Sequence, residues 1–127
     1  MNYMFGNSIS MSQKSLEFLW AKQVVISQNL TNVDTPGYKA KYVTFEDVYQ
    51  NRLKLARAAK TPAQTRSIIE NSYYSINEKD SSARLDENNV NADAEEVEMA
   101  RAQLQYQYVL NAVNSDFSRL RSVIKGQ

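Results

Sequence analysis

Two runs of apolar residues at helical spacing, one at each end of the chain, are separated by a hard stop at Thr35-Pro36-Gly37. In the first run, Ile9, Leu16, Leu19, Gln23, Ile26, Leu30 and Val33 are spaced by threes, fours and sevens, the seam of a coiled coil. Phe18, Trp20, Val24 and Val25 lie off that seam, so the apolar surface is wider than one partner helix covers. Ser10 and Gln13 stand at capping-box spacing and predict a helix start near Met11. The second run extends from about residue 92 to 124. Its seam is Met99, Ala102, Tyr106, Val109, Val113, Phe117, Leu120 and Ile124, widened by Val97, Leu104, Leu110 and Val123. Asp93, Glu95, Glu96 and Glu98 crowd its first turns, and Arg119, Arg121 and Lys125 its last, as the helix dipole favours.

The stop works by local chemistry. Pro36 has no amide hydrogen and pushes Thr35 toward an extended conformation. Pro36-Gly37 suits the two central positions of a type II turn, the second of which needs a positive φ. Asn32 and Asp34 are placed to bond the backbone groups that the helix end leaves free. Tyr38, Ala40 and Tyr42 then alternate with Lys39 and Lys41, the pattern of a short strand or extended arm.

The middle is less regular. Thr44 and Asp47 predict the cap of a short helix carrying Phe45, Val48, Tyr49 and Leu53, ending before Thr61-Pro62. Periodicity is poor from 61 to 90: residues 72–76, "SYYSI", suit a strand, and the rest reads as polar and loosely ordered. The expected organisation is an N-terminal axial helix segment (1–34), a turn, arm and irregular middle (35–90), and a C-terminal axial helix (91–127). The fold class is mainly α, with the terminal helices pairing as a coiled-coil-like bundle around a small middle that holds an extended arm or hairpin.

Composition narrows the function. A chain of 127 residues suits one domain, and only three glycines and two prolines favour helix over an all-β design. No histidine means no ordinary general base at neutral pH, and no cysteine means no thiol chemistry, thiolate metal site or disulfide. No apolar run approaches the ~18 residues of a membrane span, so direct membrane insertion is not expected. The opening "MNYMFGNSIS" lacks the parts of a cleavable secretory signal, so export, if any, is expected to leave it uncleaved. The net charge is +1, yet residues 39–66 hold seven basic and two acidic side chains, and residues 78–98 eight acidic and two basic. These segments are complementary, within one subunit or between copies.

Four stretches carry residues of a kind that could do chemistry. The acidic run 93–98 sits at a helix start, where it complements the dipole, and is not read as catalytic. "DENNVNADAEEV" fails as a calcium loop: counting from Asp86, its sixth position is Asn91 rather than glycine and its twelfth is Val97 rather than glutamate. Asn29-Leu30-Thr31 matches a glycosylation acceptor, but on a helix end. The basic segment 39–66 would suit a nucleic-acid adaptor, without any recognisable binding motif. No catalytic, cofactor or metal residue is assigned.

"NLTNVDTPGYKAKYVTFEDV" resembles the N-terminal signature of the flagellar rod and hook proteins, and the layout of helix, stop, variable middle and helix is similar to that family at both ends. "VDTPGYKA" with "FEDV", and "ENNVNADAEEVEMARAQLQYQYVLNAVNSDFSRLRSVI", are most similar to its FlgB-type proximal rod subunits; a FlgC-like short subunit is the nearer alternative. Leu30-Thr31 and Tyr42 depart from the family pattern without touching a turn residue. The resemblance implies a structural, non-enzymatic subunit of the basal-body rod in the periplasm, part of the shaft that transmits torque. It implies export through the flagellar type III apparatus, with Phe45 and Tyr49 matching an export-gate recognition pattern. The implied partners are copies of itself, rod subunits of the FlgC, FlgF and FlgG types, the FliE-type adaptor and MS ring at the rod base, and the export gate. The turn motif would be Asn29, Asn32, Asp34, Thr35, Pro36, Gly37 and Tyr38. The assembly helices would use Leu16, Leu19, Trp20, Ile26, Leu30 and Val33 on one side, and Met99, Tyr106, Val109, Leu110, Val113, Phe117, Leu120 and Ile124 on the other.

Overall fold

The computed structural model describes residues 2–45, 50–51, 54–55, 57–82 and 84–126, with side chains from Gly6 onward. In chain order the elements are α1 (Asn2–Thr31), β1 (Lys41–Thr44), α2 (Pro62–Glu70), β2 (Ser75–Glu78) and α3 (Ala92–Lys125). The fold is mainly helical, as the apolar spacing predicts. α1 and α3 pack along each other and run antiparallel. Asn29 bonds Glu95 near the stop, Lys22 meets Glu98 at 2.9 Å, and Ser8 donates to Asp116 at 2.9 Å toward the far end. Leu19, Ala21, Val25, Ile26 and Ala102 are buried, and Val25 and Ile26 lie beside β1.

α1 starts much earlier than Met11. Ser10 and Gln13 lie inside it, and no cap forms there. The reason is tertiary: the last turns of α3 reach as far as Ser8, so a partner surface supports the extra turns. α3 begins where its sequence predicts, with Asn91 accepting the Ala94 amide at its N-cap, and closes at Gly126 in the left-handed region.

The middle is more ordered than its poor periodicity suggests. Thr61-Pro62 opens a helix: Thr61 caps the Gln64 amide, and Pro62 takes the first turn, where its missing hydrogen costs nothing. α2 packs on α1 and buries Ile69, a burial that stabilises by about 1.5–3 kcal/mol. β1 and β2 form a two-stranded antiparallel ribbon in which Lys41 faces Glu78 and Thr44 faces Ser75. β1 begins three residues later than the Tyr38 alternation suggests, because the 38–40 backbone bonds to the loop before α3 instead. Phe45 lies between β1 and the helical residues 50–51, 54–55 and 57–58, just outside the short helix expected there; it is buried and stacks on Phe18 of α1, ring centroids 4.6 Å apart. The other positions expected in that helix, Val48, Tyr49 and Leu53, lie outside the described residues.

Candidate functional site

The helix stop is held from both sides by a cluster of buried asparagines. α1 ends at Thr31, and Asn32 returns its side-chain amide to the Gln28 carbonyl at 2.8 Å, while Asp34 stays exposed. The Tyr38 amide then bonds the Thr35 carbonyl at 3.2 Å across Pro36-Gly37, with Gly37 at φ 73°. That is a turn with positive φ at its third position, which a residue bearing a Cβ adopts only with strain.

Asn29, fully buried on the last turn of α1, uses its whole hydrogen-bonding capacity here. Its amide donates to the Lys41 carbonyl at 2.7 Å and to the Glu95 carboxylate at 3.1 Å. Its oxygen accepts from the Lys41 amide at 2.9 Å and from the Tyr38 hydroxyl at 3.1 Å. One side chain thus ties α1, the turn, the start of β1 and the first turn of α3. Burial raises the Tyr38 phenol above its usual pKa, and the carboxylates of Glu78 and Glu95 push it the same way.

The segment 84–91 closes over the turn from outside. Fully buried Asn88 donates to the carbonyls of Asn32 (2.9 Å) and Thr35 (2.8 Å), and accepts from the Val90 amide at 2.9 Å. Asn89 accepts from the Ala40 amide at 2.5 Å and donates to Lys79 and Ser81 at 2.7 and 2.6 Å. Arg84 reaches the Val33 carbonyl at 2.8 Å, and the Gly37 amide bonds the Asp86 carbonyl at 2.7 Å. The apolar spacing gives no sign of these residues. Their one signal in the sequence is three asparagines within 88–91, since asparagine favours sites where its amide replaces backbone partners.

Lys39 donates to the Glu87 backbone carbonyl at 2.6 Å, Lys41 stands opposite Glu78 in the strand register, and Arg66 pairs with Glu70 at 2.7 Å. The Lys22 hydrogen bond holds the Glu98 carboxyl below its usual pKa. Among the described residues there is no group of three or more metal-ligating side chains, and no helix is long and apolar enough to cross a membrane.

The structure places the assembly-helix residues on two kinds of surface. Leu19 and Ile26 are buried; Leu16, Leu30, Val33, Met99, Tyr106, Val109, Leu110, Val113 and Leu120 are half-covered. Trp20 is 62% exposed, Phe117 49% and Ile124 78%. Beyond those positions, Leu104 and Tyr108 are 73% and 76% exposed. A single partner helix leaves both sides of this hairpin uncovered. The asparagine clamp fixes where the chain leaves α1.

No family model matches the chain. Eight curated relatives do, and every one carries the name flagellar basal body rod protein FlgB. The Bacillus subtilis protein is 32% identical, over 97% of this chain and 97% of its own length. The Escherichia coli protein is 27% identical over 93% of each chain, and that of Borreliella burgdorferi 27% over 95% of this chain and 98% of its own. The chain belongs to the FlgB family of flagellar basal body rod proteins. The FlgC-like alternative has no support among these relatives.

Proposed function

We infer that the chain is a structural subunit of the proximal rod of the bacterial flagellar basal body, assembling through its terminal helices into the shaft that transmits torque. The observation that carries this reading is the hairpin of α1 and α3, whose outer sides keep large apolar residues exposed while the clamp holds the turn rigid. Torque passes through a shaft only if each subunit resists shear, and a fully hydrogen-bonded turn between packed helices supplies that stiffness.

Rod subunits of the FlgC, FlgF and FlgG types, the FliE-type adaptor and the MS ring are the partners this reading names. Its place is the periplasmic rod, reached through the flagellar type III apparatus without a cleaved signal. Because Phe45 is buried against Phe18, recognition of Phe45 by the export gate acts on the chain before this packing forms. The nucleic-acid reading loses ground, since Lys39 and Arg66 of the 39–66 segment already have partners within the chain.

The test is deletion and complementation in a flagellated host. Loss of swarming and of the rod on deletion, restoration by the wild-type chain, and the chain's presence in purified basal bodies are the expected results. Motile deletion cells with intact rods would overturn the reading.

A further inference from the structure

The ribbon of β1 and β2 has two outer edges, and they differ in what covers them. The Lys79 amide donates to the Ala40 carbonyl at 2.9 Å, and the register runs on through Tyr42 opposite Asn77 and Thr44 opposite Ser75. Alternation along an antiparallel ladder therefore turns the backbone of Lys41 away from β2, and that of Ile76 and Glu78 away from β1. Asn29 takes both outward groups of Lys41. On β2, nothing among the described residues bonds the outward amide or carbonyl of Ile76 or Glu78. Ile76 is 54% exposed, and Tyr73 and Tyr74 stand exposed just before the strand. An edge with unpaired backbone groups and apolar side chains is a template for another strand.

The pairing inside the chain shows which kind of strand β2 accepts. Lys41 stands opposite Glu78 and Val43 opposite Ile76, so a cation meets the acidic end and an aliphatic residue the apolar end. Asp80, exposed just beyond the strand, adds to the acidic end. A strand on the outer edge meets the same two side chains from the other side, at cross-strand distance. We propose that the outer edge of β2 takes an antiparallel extended segment of an unlike protein, whose alternate residues run from basic to aliphatic or aromatic. A second copy of this chain is a poorer match. Its β1 is already held by Asn29, and β2 against β2 brings no lysine opposite Glu78, because Lys79 turns its backbone inward to Ala40. The proposal goes beyond the rod-subunit reading and does not depend on it.

The probe is a synthetic peptide copying residues 38–45, YKAKYVTF, blocked at both ends and added to the full-length isotope-labelled chain. At saturating peptide, amide exchange at Ile76 and Glu78 is expected to slow about tenfold while the Tyr42 amide keeps its protection. A peptide with glutamate in place of both lysines should bind about tenfold more weakly. Ile76→Pro deletes an outward amide without touching a bond to β1, so it should abolish peptide binding and leave the ribbon intact. If that variant does not fold, the two peptides on the wild-type chain carry the test. In cells, a photo-cross-linking benzoylphenylalanine in place of Ile76 should join the chain to an extended segment of the stated pattern in an unlike protein, located by mass spectrometry. No slowing at Ile76 and Glu78, or equal binding of both peptides, would overturn the proposal. So would loss of Tyr42 protection, which would mean that the peptide replaces β1. Slowing that grows with protein concentration alone, or cross-links only to copies of this chain, would mean that β2 pairs with β2 and would overturn it too.

Discussion

Asn29 binds Lys41 by both backbone groups, donating to its carbonyl at 2.7 Å and accepting from its amide at 2.9 Å. A side-chain amide thereby takes the place of a neighbouring strand at the start of β1, twelve residues beyond its own helix turn. Replacing Asn29 with alanine leaves Lys41, Tyr38 and Glu95 short of a partner in a buried place and is expected to cost on the order of 3 kcal/mol. Asn29→Asp is expected to be worse, because a second carboxylate then faces Glu95 and the Lys41 carbonyl. Denaturant unfolding of the purified chain measures both; equal stability of wild type and Asn29→Ala would contradict the clamp.

Asn88 and Asn91 stand three residues apart and are expected to fail differently. Asn88→Ala frees the Asn32 and Thr35 carbonyls inside the clamp, at a cost on the order of 2 kcal/mol. Asn91→Ala removes only the cap of α3, about 1 kcal/mol. Hydrogen exchange separates them. The first substitution should speed exchange at the Gly37 and Tyr38 amides, the second at the first turn of α3 alone.

Gly37 has open space where a Cβ would point, so the cost of a side chain there is conformational rather than steric. Gly37→Val is expected to lose about 1–3 kcal/mol and to block swarming at equal protein level, whereas Gly37→Asn, which tolerates positive φ, should be milder. Pro36→Ala should cost less still, since it only restores freedom to the unfolded chain. Full swarming with Gly37→Val would mean the turn's geometry carries no function.

Phe45 presents a separation problem. Phe45→Ala empties the stack on Phe18 and is expected to destabilise the folded chain by about 3–4 kcal/mol. Phe45→Leu keeps most of the volume and should cost about 1 kcal/mol. Secretion assays on the two variants distinguish packing from export. Equal export of both, with rods missing only for the alanine variant, would assign Phe45 to packing alone.

Stability should fall at both ends of the pH scale for identifiable reasons. The folded-state pKa of Glu98 is depressed by Lys22, so its contribution is present above the ordinary carboxylate value and lost as pH drops through the folded value. Tyr38 is raised, so its contribution is present below the ordinary phenol value of 10.0 and lost as pH rises through the folded one. Lys22→Met should flatten the acid limb, and Tyr38→Phe the alkaline limb, in melting temperature against pH. An unchanged acid limb in Lys22→Met would remove Glu98 from the account.

The terminal helices and the stop between them were legible in the sequence because their causes are local. Three-four apolar spacing, a proline without an amide hydrogen and a glycine at positive φ each act within a few residues. Three things needed the tertiary structure. α1 begins at Asn2 because the end of α3 reaches back to Ser8, a contact 108 residues apart in sequence. The middle orders because α2 rests on α1 and β1 finds β2 across thirty residues of chain. The clamp exists because Asn88 meets Asn32 and Thr35 more than fifty positions away. An asparagine's preference for backbone partners is written in the chain, but which backbone it meets is decided only when packing brings distant segments together and leaves their polar groups no water to bind.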